Sequence, residues 1–167
     1  MIGFLLVEIV FRFVSDVNPL SENEFTHNSL LFQNGNNFLN IDNFFSYYPN
    51  KSIRISSVFY SQPLADLSDM RIEYDYTIET NNAGLVMKED IFKGDDVILV
   101  MGDSFTEGQG AKSWFYDVEK LDEVPFKLVN LGQLGTGPQT WELFKDYLVL
   151  KYDLNIKGII INFFFCF

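Results

Sequence analysis

Residues 97–110 read Val-Ile-Leu-Val-Met-Gly-Asp-Ser-Phe-Thr-Glu-Gly-Gln-Gly, which is an apolar run followed at once by a small polar turn. The run over 97–101 has no polar alternation, so it is typical of a strand covered on both faces, as in a parallel sheet. Gly102 allows a sharp turn, after which Asp103 and Ser104 stand where a helix can begin. Because ligands of open α/β sheets bind at this carboxyl edge, Ser104 is a candidate nucleophile. An ordinary strand-to-helix turn capped by Ser or Asp is the alternative.

A second strand-loop-helix unit is expected about 25 residues further along the chain. Residues 127–131 predict a short strand, and three glycines lie between 132 and 137. Pro138 suits the first turn of a helix, which we predict over 138–152. Bare backbone N–H groups in such a loop can bind a developing oxyanion, although a tight connection without a ligand fits the same pattern. The predicted buried face of the helix consists of Trp141, Phe144, Tyr147, Leu148 and Tyr152.

The last segment, 158–166, is a third nearly continuous apolar run and predicts another strand. A helix is expected at about 113–122, between the first two strands. Strands that alternate with helices predict a parallel sheet with right-handed crossovers.

Three stretches resemble the SGNH (GDSL-type) superfamily of esterases and acyltransferases. Residues 102–108 resemble its first block, which carries the nucleophilic serine, and residues 130–135 resemble its second block, whose glycine donates an N–H to the oxyanion. Residues 81–85 resemble a Thr-Asn-x-x-Gly stretch of membrane-linked members that act on surface polysaccharides. The resemblance implies that Ser104 is catalytic, that the N–H groups of Ser104 and Gly135 form the oxyanion hole, and that no cofactor is needed.

The same resemblance implies an α/β fold, namely a three-layer flavodoxin-like parallel sheet, of which residues 96–167 would be the N-terminal half. The family's third block, Gly-x-Asn-Asp, and its fourth, Asp-x-x-His, have no counterpart here, and Asn162 lies inside a predicted strand. The only histidine is His27, in a polar N-terminal stretch. We therefore expect a truncated serine esterase or O-acyltransferase half-domain that is inactive by itself. A non-catalytic fragment or binding module on an α/β scaffold is the alternative, and a carrier protein with a modified serine is a third.

The charge and the Cys and His content of the chain argue against two classes of partner, nucleic acids and metal ions. The net charge of −11 argues against nucleic acid, which requires a basic surface. With one Cys and one His, a metal centre is not expected. The substrate implied by the resemblance is an O-acyl ester, with the acetyl groups of a polysaccharide as one candidate.

The region before residue 96 divides into two parts. Residues 1–14 are apolar apart from Glu8 and Arg12 and predict a short helix that is either buried or interfacial, and they also resemble the end of a membrane anchor. Residues 15–95 are rich in Asn and aromatic residues and predict a small β-containing cap or linker, with a strand near 72–78. Its aromatic residues fit either core packing or a sugar-stacking surface. Membrane association through residues 1–14 and an extracytoplasmic or membrane-anchored location follow from the resemblance as expectations.

Overall fold

The computed structural model describes residues 27–33, 37–41, 44–60, 70–119 and 125–162. Strands account for 44% of these residues and helices for 20%. The strands are β1 (His27–Phe32), β2 (Phe38–Ile41), β3 (Phe44–Tyr47), β4 (Ser52–Tyr60), β5 (Arg71–Glu79), β6 (Asp96–Gly102), β7 (Lys127–Gly132) and β8 (Asn155–Ile161). The helices are α1 (Ser104–Glu107), α2 (Phe115–Val118) and α3 (Pro138–Tyr152).

The strands form three sheets. Two are antiparallel, one in the order β1-β4-β5 and the other a β2-β3 hairpin, and the third is a parallel sheet in the order β7-β6-β8. The described residues divide into two compact units. One comprises 27–30, 57–60 and 70–73, and the other contains the remaining described residues, including the whole parallel sheet.

The expected three-layer flavodoxin-like fold is wrong. Most strand residues belong to the antiparallel sheets, and among the described residues only α3 is longer than one helical turn. The helix expected at 113–122 is a single turn, Phe115–Val118. The alternation of strands and helices was expected over residues 96–167, where the parallel sheet has three strands and only one long helix, and the β-rich part outweighs it. The β-rich part before residue 96 is larger than the small segment that we expected, and the apolar helix expected at 1–14 lies outside the described residues.

The parallel sheet itself contains the strands expected at 97–101 and 127–131. β6 and β7 pair in parallel from Val97↔Lys127 to Gly102↔Gly132. β8 pairs with the other edge of β6 and has a register shift between Val97 and Ile98. It begins at Asn155, three residues before the predicted start. The pairing continues at Asn162, whose N–H donates to the Met101 carbonyl (2.9 Å), and residues 163–167 lie outside the described part.

The core of the larger unit lies around the parallel sheet. Val97 and Leu99 of β6 are fully buried, as a strand covered on both faces requires. Helix α3 has the bounds that its periodicity predicted and buries Trp141, Phe144 and Leu148. Tyr147 and Tyr152 of the same predicted face are partly buried against this core. The ring of Phe44 in the β2-β3 hairpin lies 5.2 Å from that of Phe144, so the hairpin packs on the helix.

Residues 80–95 join β5 to β6 without regular structure, and two asparagine side chains bond part of this backbone where no strand ladder does. Asn81 Oδ1 accepts from the N–H groups of Ala83 and Leu85, both at 3.0 Å. Asn82 Oδ1 accepts from Ile91 N–H (3.0 Å), and its Nδ2 donates to the Ile91 carbonyl (2.8 Å). These bonds satisfy a buried irregular backbone, which would otherwise be costly.

Strand β8 has the most exposed apolar side chains of the parallel sheet. Ile159, Ile160 and Ile161 are each about half exposed, at 47%, 47% and 51%. In the part of the chain that the structure describes, no helix is long and apolar enough to cross a membrane.

Candidate functional site

Ser104 is the first residue of a one-turn helix at the carboxyl end of β6. The Asp103 side chain caps this turn by accepting from Phe105 N–H (3.0 Å). The Ser104 carbonyl accepts from the N–H groups of Gly108 (3.1 Å) and Gln109 (2.9 Å). The backbone that presents the Ser104 hydroxyl is thus held on both sides, and the residue is half-buried.

Two glycines allow α1 to lie directly against the strand ends. A Cβ added to Gly102 would be 1.9 Å from Thr106 Oγ1, and one added to Gly132 would be 2.3 Å from the Glu107 backbone nitrogen. Neither contact is sterically possible, so both positions require glycine for close approach rather than for an unusual φ angle.

The loop over residues 133–137, here called the glycine loop, follows β7 at the same edge of the sheet. Its first residue, Gln133, donates its N–H to the Gly102 carbonyl (3.2 Å). Its far end is fixed by Thr136, whose hydroxyl donates to the Gln133 carbonyl (2.7 Å) and accepts from the Trp141 indole N–H (2.9 Å). Gly135, between these anchors, has a φ of +69° and no atom within 4 Å of the position of a Cβ.

The two predicted site residues therefore follow neighbouring parallel strands. Gly102 and Gly132 are partners in the register of β6 and β7. Ser104 comes two residues after Gly102, and Gly135 comes three residues after Gly132. Ser104 and the exposed Gly135 are thus both at the carboxyl edge, where an open α/β sheet binds ligands.

Asn130 ties this edge together from within β7. Its Oδ1 accepts from Gly132 N–H (2.9 Å), and its Nδ2 donates to the Val86 carbonyl (3.0 Å). A longer contact of 3.4 Å joins the same amide to the Thr106 carbonyl. The side chain is fully buried, so its role here is to fix three backbone segments around the turn.

Glu107 is the residue that sequence reasoning missed. Its carboxylate is fully buried; one oxygen accepts from Tyr47 Oη (3.1 Å) and the other from Leu134 N–H (2.7 Å). Burial raises the pKa of this carboxyl to about 7, although the hydrogen bonds from Leu134 and Tyr47 act in the opposite direction. Burial and the neighbouring Glu107 also hold the pKa of the Tyr47 hydroxyl well above its usual range, so this phenol stays protonated.

No local signal marks Glu107 in the sequence. A glutamate beside a Gly residue on a short helix usually faces solvent, and its partner Tyr47 is 60 residues away. Tyr47 itself was expected either in a core or on a sugar-stacking surface, and it is buried.

Two aromatic side chains are exposed close to Ser104 in the sequence. Phe105, the next residue, is 55% exposed and Trp114 is 38% exposed. The Trp114 indole N–H donates to the Phe105 carbonyl (3.2 Å), which holds this ring beside α1. The two rings provide apolar surface next to the candidate nucleophile.

The only histidine of the sequence, His27, belongs to the other compact unit. Among the described residues, no group of three or more His, Cys, Asp or Glu side chains is placed to hold a metal ion.

Comparison with protein-family models, with curated proteins and with solved structures finds no match to this chain.

Proposed function

We propose that this chain carries the nucleophile and part of the oxyanion hole of a serine esterase or O-acyltransferase, related to the SGNH superfamily. The observation that carries the proposal is the pair of loops at the ends of β6 and β7. One loop presents Ser104 on a capped turn, and the other presents the exposed backbone of Gly135.

The chemistry assigned to these residues is acyl transfer. Ser104 Oγ attacks the ester carbonyl and loses its proton to a base, and the carbonyl oxygen becomes an oxyanion. N–H groups of Ser104 and Gly135 stabilise that charge, and one such donor is typically worth about 10²–10³ in rate. The ester C–O bond then breaks, the alcohol leaves with the proton, and water or a second hydroxyl releases the acyl group from Ser104.

The substrate class proposed is an O-acyl ester, with an acetylated carbohydrate as the candidate that the resemblance suggests. The exposed rings of Phe105 and Trp114 support a substrate with an apolar face, and both alkyl groups and sugar rings have one. An extracytoplasmic or membrane-anchored location stays a prediction, because residues 1–14 lie outside the described part.

A non-catalytic binding module is the second candidate. It is favoured because, among the hydrogen bonds of the described residues, none joins the Ser104 hydroxyl to a base, and a serine hydroxyl is a weak nucleophile without one. We accordingly expect the 167-residue chain to turn over esters poorly in plain buffer.

Addition of an external base separates the two candidates. The chain would be incubated with p-nitrophenyl acetate with and without imidazole, and acetylation would be located by peptide mass spectrometry. A positioned general base usually contributes about 10²–10⁴, and free imidazole should supply part of this effect, so it should raise acetylation of Ser104 at least about tenfold relative to that of the other hydroxyl groups. Ser104→Ala should lose the labelled peptide, and Ser52→Ala, which changes an exposed serine, should keep it. Equal low labelling of many hydroxyls, without preference for Ser104, would contradict the esterase proposal.

A further inference from the structure

The buried carboxylate of Glu107 links the two loops of the candidate site. It belongs to the same one-turn helix as Ser104, and its Oε2 accepts from the N–H of Leu134, the residue before Gly135. Its Oε1 accepts from Tyr47 Oη at the end of β3. One side chain thus connects α1, the glycine loop and the β2-β3 hairpin.

The surroundings of this carboxylate are polar but uncharged. The titratable groups that act on it or are affected by it are three phenols, Tyr47 of β3, Tyr76 of β5 and Tyr116 of α2. From the glycine loop it meets the Leu134 amide. Among the described residues no Lys or Arg forms an ion pair with it, so the two hydrogen bonds are what stabilises the ionised form.

We propose that Glu107 is a positioning residue that holds the glycine loop, and with it the Gly135 N–H, in place beside Ser104. This inference rests on the proposed function, because the position of the glycine loop affects catalysis only if the Gly135 N–H binds an oxyanion.

The geometry explains why a carboxyl group with a tyrosine partner suits this role. A phenol can donate or accept, whereas a backbone N–H can only donate. When Glu107 is ionised, both Tyr47 and Leu134 donate to it, and such charge-assisted bonds are the stronger kind. When Glu107 takes up a proton, it can donate to Tyr47 Oη, which reverses its role, and the other oxygen remains an acceptor for Leu134. The loop is therefore held in both states, but more tightly in the ionised one.

The test follows the Leu134 amide in the full chain by ¹H–¹⁵N NMR. In the wild type, the Leu134 signal should shift downfield as pH rises, with a midpoint near pH 7, because the bond to the carboxylate strengthens. Glu107→Gln should abolish this titration but keep slow amide exchange, because the Gln carbonyl still accepts. Glu107→Ala should speed exchange at Leu134 and Gly135 at least about tenfold.

Tyr47→Phe supplies a second variant that preserves the core. Loss of the phenol removes a bond that favours the ionised form, so the Leu134 midpoint should move to higher pH. Glu142→Gln, an exposed glutamate on α3, is the matched control and should leave the midpoint unchanged. Amide exchange at Leu134 and Gly135 that is as slow in Glu107→Ala as in the wild type would overturn the proposal, because the glycine loop would then be held without this carboxyl group.

These readouts do not depend on catalysis. Ser104→Ala should show the same Leu134 titration as the wild type. Positioning by Glu107 can therefore be supported in a chain that never forms an acyl-enzyme, and an active Ser104 can be found in a chain whose glycine loop does not depend on Glu107.

Discussion

Gly102 and Gly132 lie opposite each other in register at the ends of β6 and β7, and the helical turn that begins at Ser104 packs against both. The absence of two side chains brings the backbone of α1 onto the strand ends. The same approach buries Glu107 and places its carboxylate within reach of the glycine loop. The position of the candidate nucleophile therefore depends on residues that take no part in the chemistry.

Gly132→Ala should destabilise the protein substantially. Its Cβ would lie 2.3 Å from the backbone nitrogen of Glu107, which cannot rotate away as a side chain can. Overpacking of this kind typically costs about 1–3 kcal/mol. Gly158→Ala is the control, because its Cβ would make only ordinary contacts of 3.7–3.8 Å with Ile98. Urea denaturation measures both variants, and equal midpoints would show that the close approach is unimportant.

Stability should fall between about pH 4.5 and pH 7 because of Glu107. The pKa of this carboxyl is raised from 4.5 to about 7 by burial, so in this interval the folded state holds a proton that the unfolded state has released. The stability that this bound proton contributes is fully present below the unfolded pKa and is lost as pH rises to about 7. It amounts to about 3 kcal/mol of the free energy of unfolding. Asp75 and Asp95, whose pKa values are lowered, act at more acidic pH and with the opposite sign.

The check is the free energy of unfolding at about pH 5 and pH 8 for the wild type and for Glu107→Gln. The wild type should lose about 2–3 kcal/mol over that range beyond what the variant loses, because a glutamine has no proton to release. Parallel pH profiles for the two proteins would show that Glu107 does not titrate in this interval.

Asn130→Ala should cost about 2–4 kcal/mol of stability. The substitution leaves the Gly132 N–H and the Val86 carbonyl buried without their partner, and each such group costs about 1–3 kcal/mol. Asn155→Ala removes an exposed side-chain bond to the Gly94 carbonyl and should cost far less. Thermal unfolding followed by circular dichroism compares the two variants. A similarly small loss of stability in both would show that the hydrogen bonds of Asn130 do not stabilise the turn.

The isoleucines of β8 should make the chain self-associate. Side chains that are about half exposed on a sheet edge invite strand pairing between molecules. Ile160→Lys should raise the concentration at which light scattering detects oligomers, because a lysine on an edge strand disfavours such pairing. Leu150→Lys, which changes an exposed leucine on α3, should have a weaker effect. A monodisperse wild-type monomer at high concentration would contradict this prediction.

Elements that are determined by local sequence patterns were predicted correctly, and features that depend on contacts distant in the sequence were not. The buried run 97–101 and the periodic helix 138–152 are local patterns, and both elements formed where expected. The alternation near 72–78 likewise corresponds to β5. By contrast, the segment expected to be a helix at 113–122 forms only the turn at 115–118, and the three-layer fold expected from the alternation over 96–167 was wrong because antiparallel strands dominate the described residues.

The candidate site was predictable only in part. Ser104 and Gly135 follow strands that the sequence identifies, so their shared sheet edge could be inferred from the expected parallel pairing. Glu107 could not be, because its burial depends on a tyrosine 60 residues away and on two glycines whose effect appears only in three dimensions.

The connection between the β2-β3 hairpin and the glycine loop also sets an order of events during synthesis. Gln133 donates its side-chain amide to the Phe45 carbonyl across 88 residues of sequence. At a translation rate of about 5–20 residues per second, the hairpin emerges on the order of 4–18 s before the loop that it binds. A hairpin alone is marginally stable in water. The Phe and Tyr side chains of the β2-β3 hairpin are therefore available for non-native contacts during that interval. The hairpin can make its native contact with Gln133 only once the glycine loop has been synthesised.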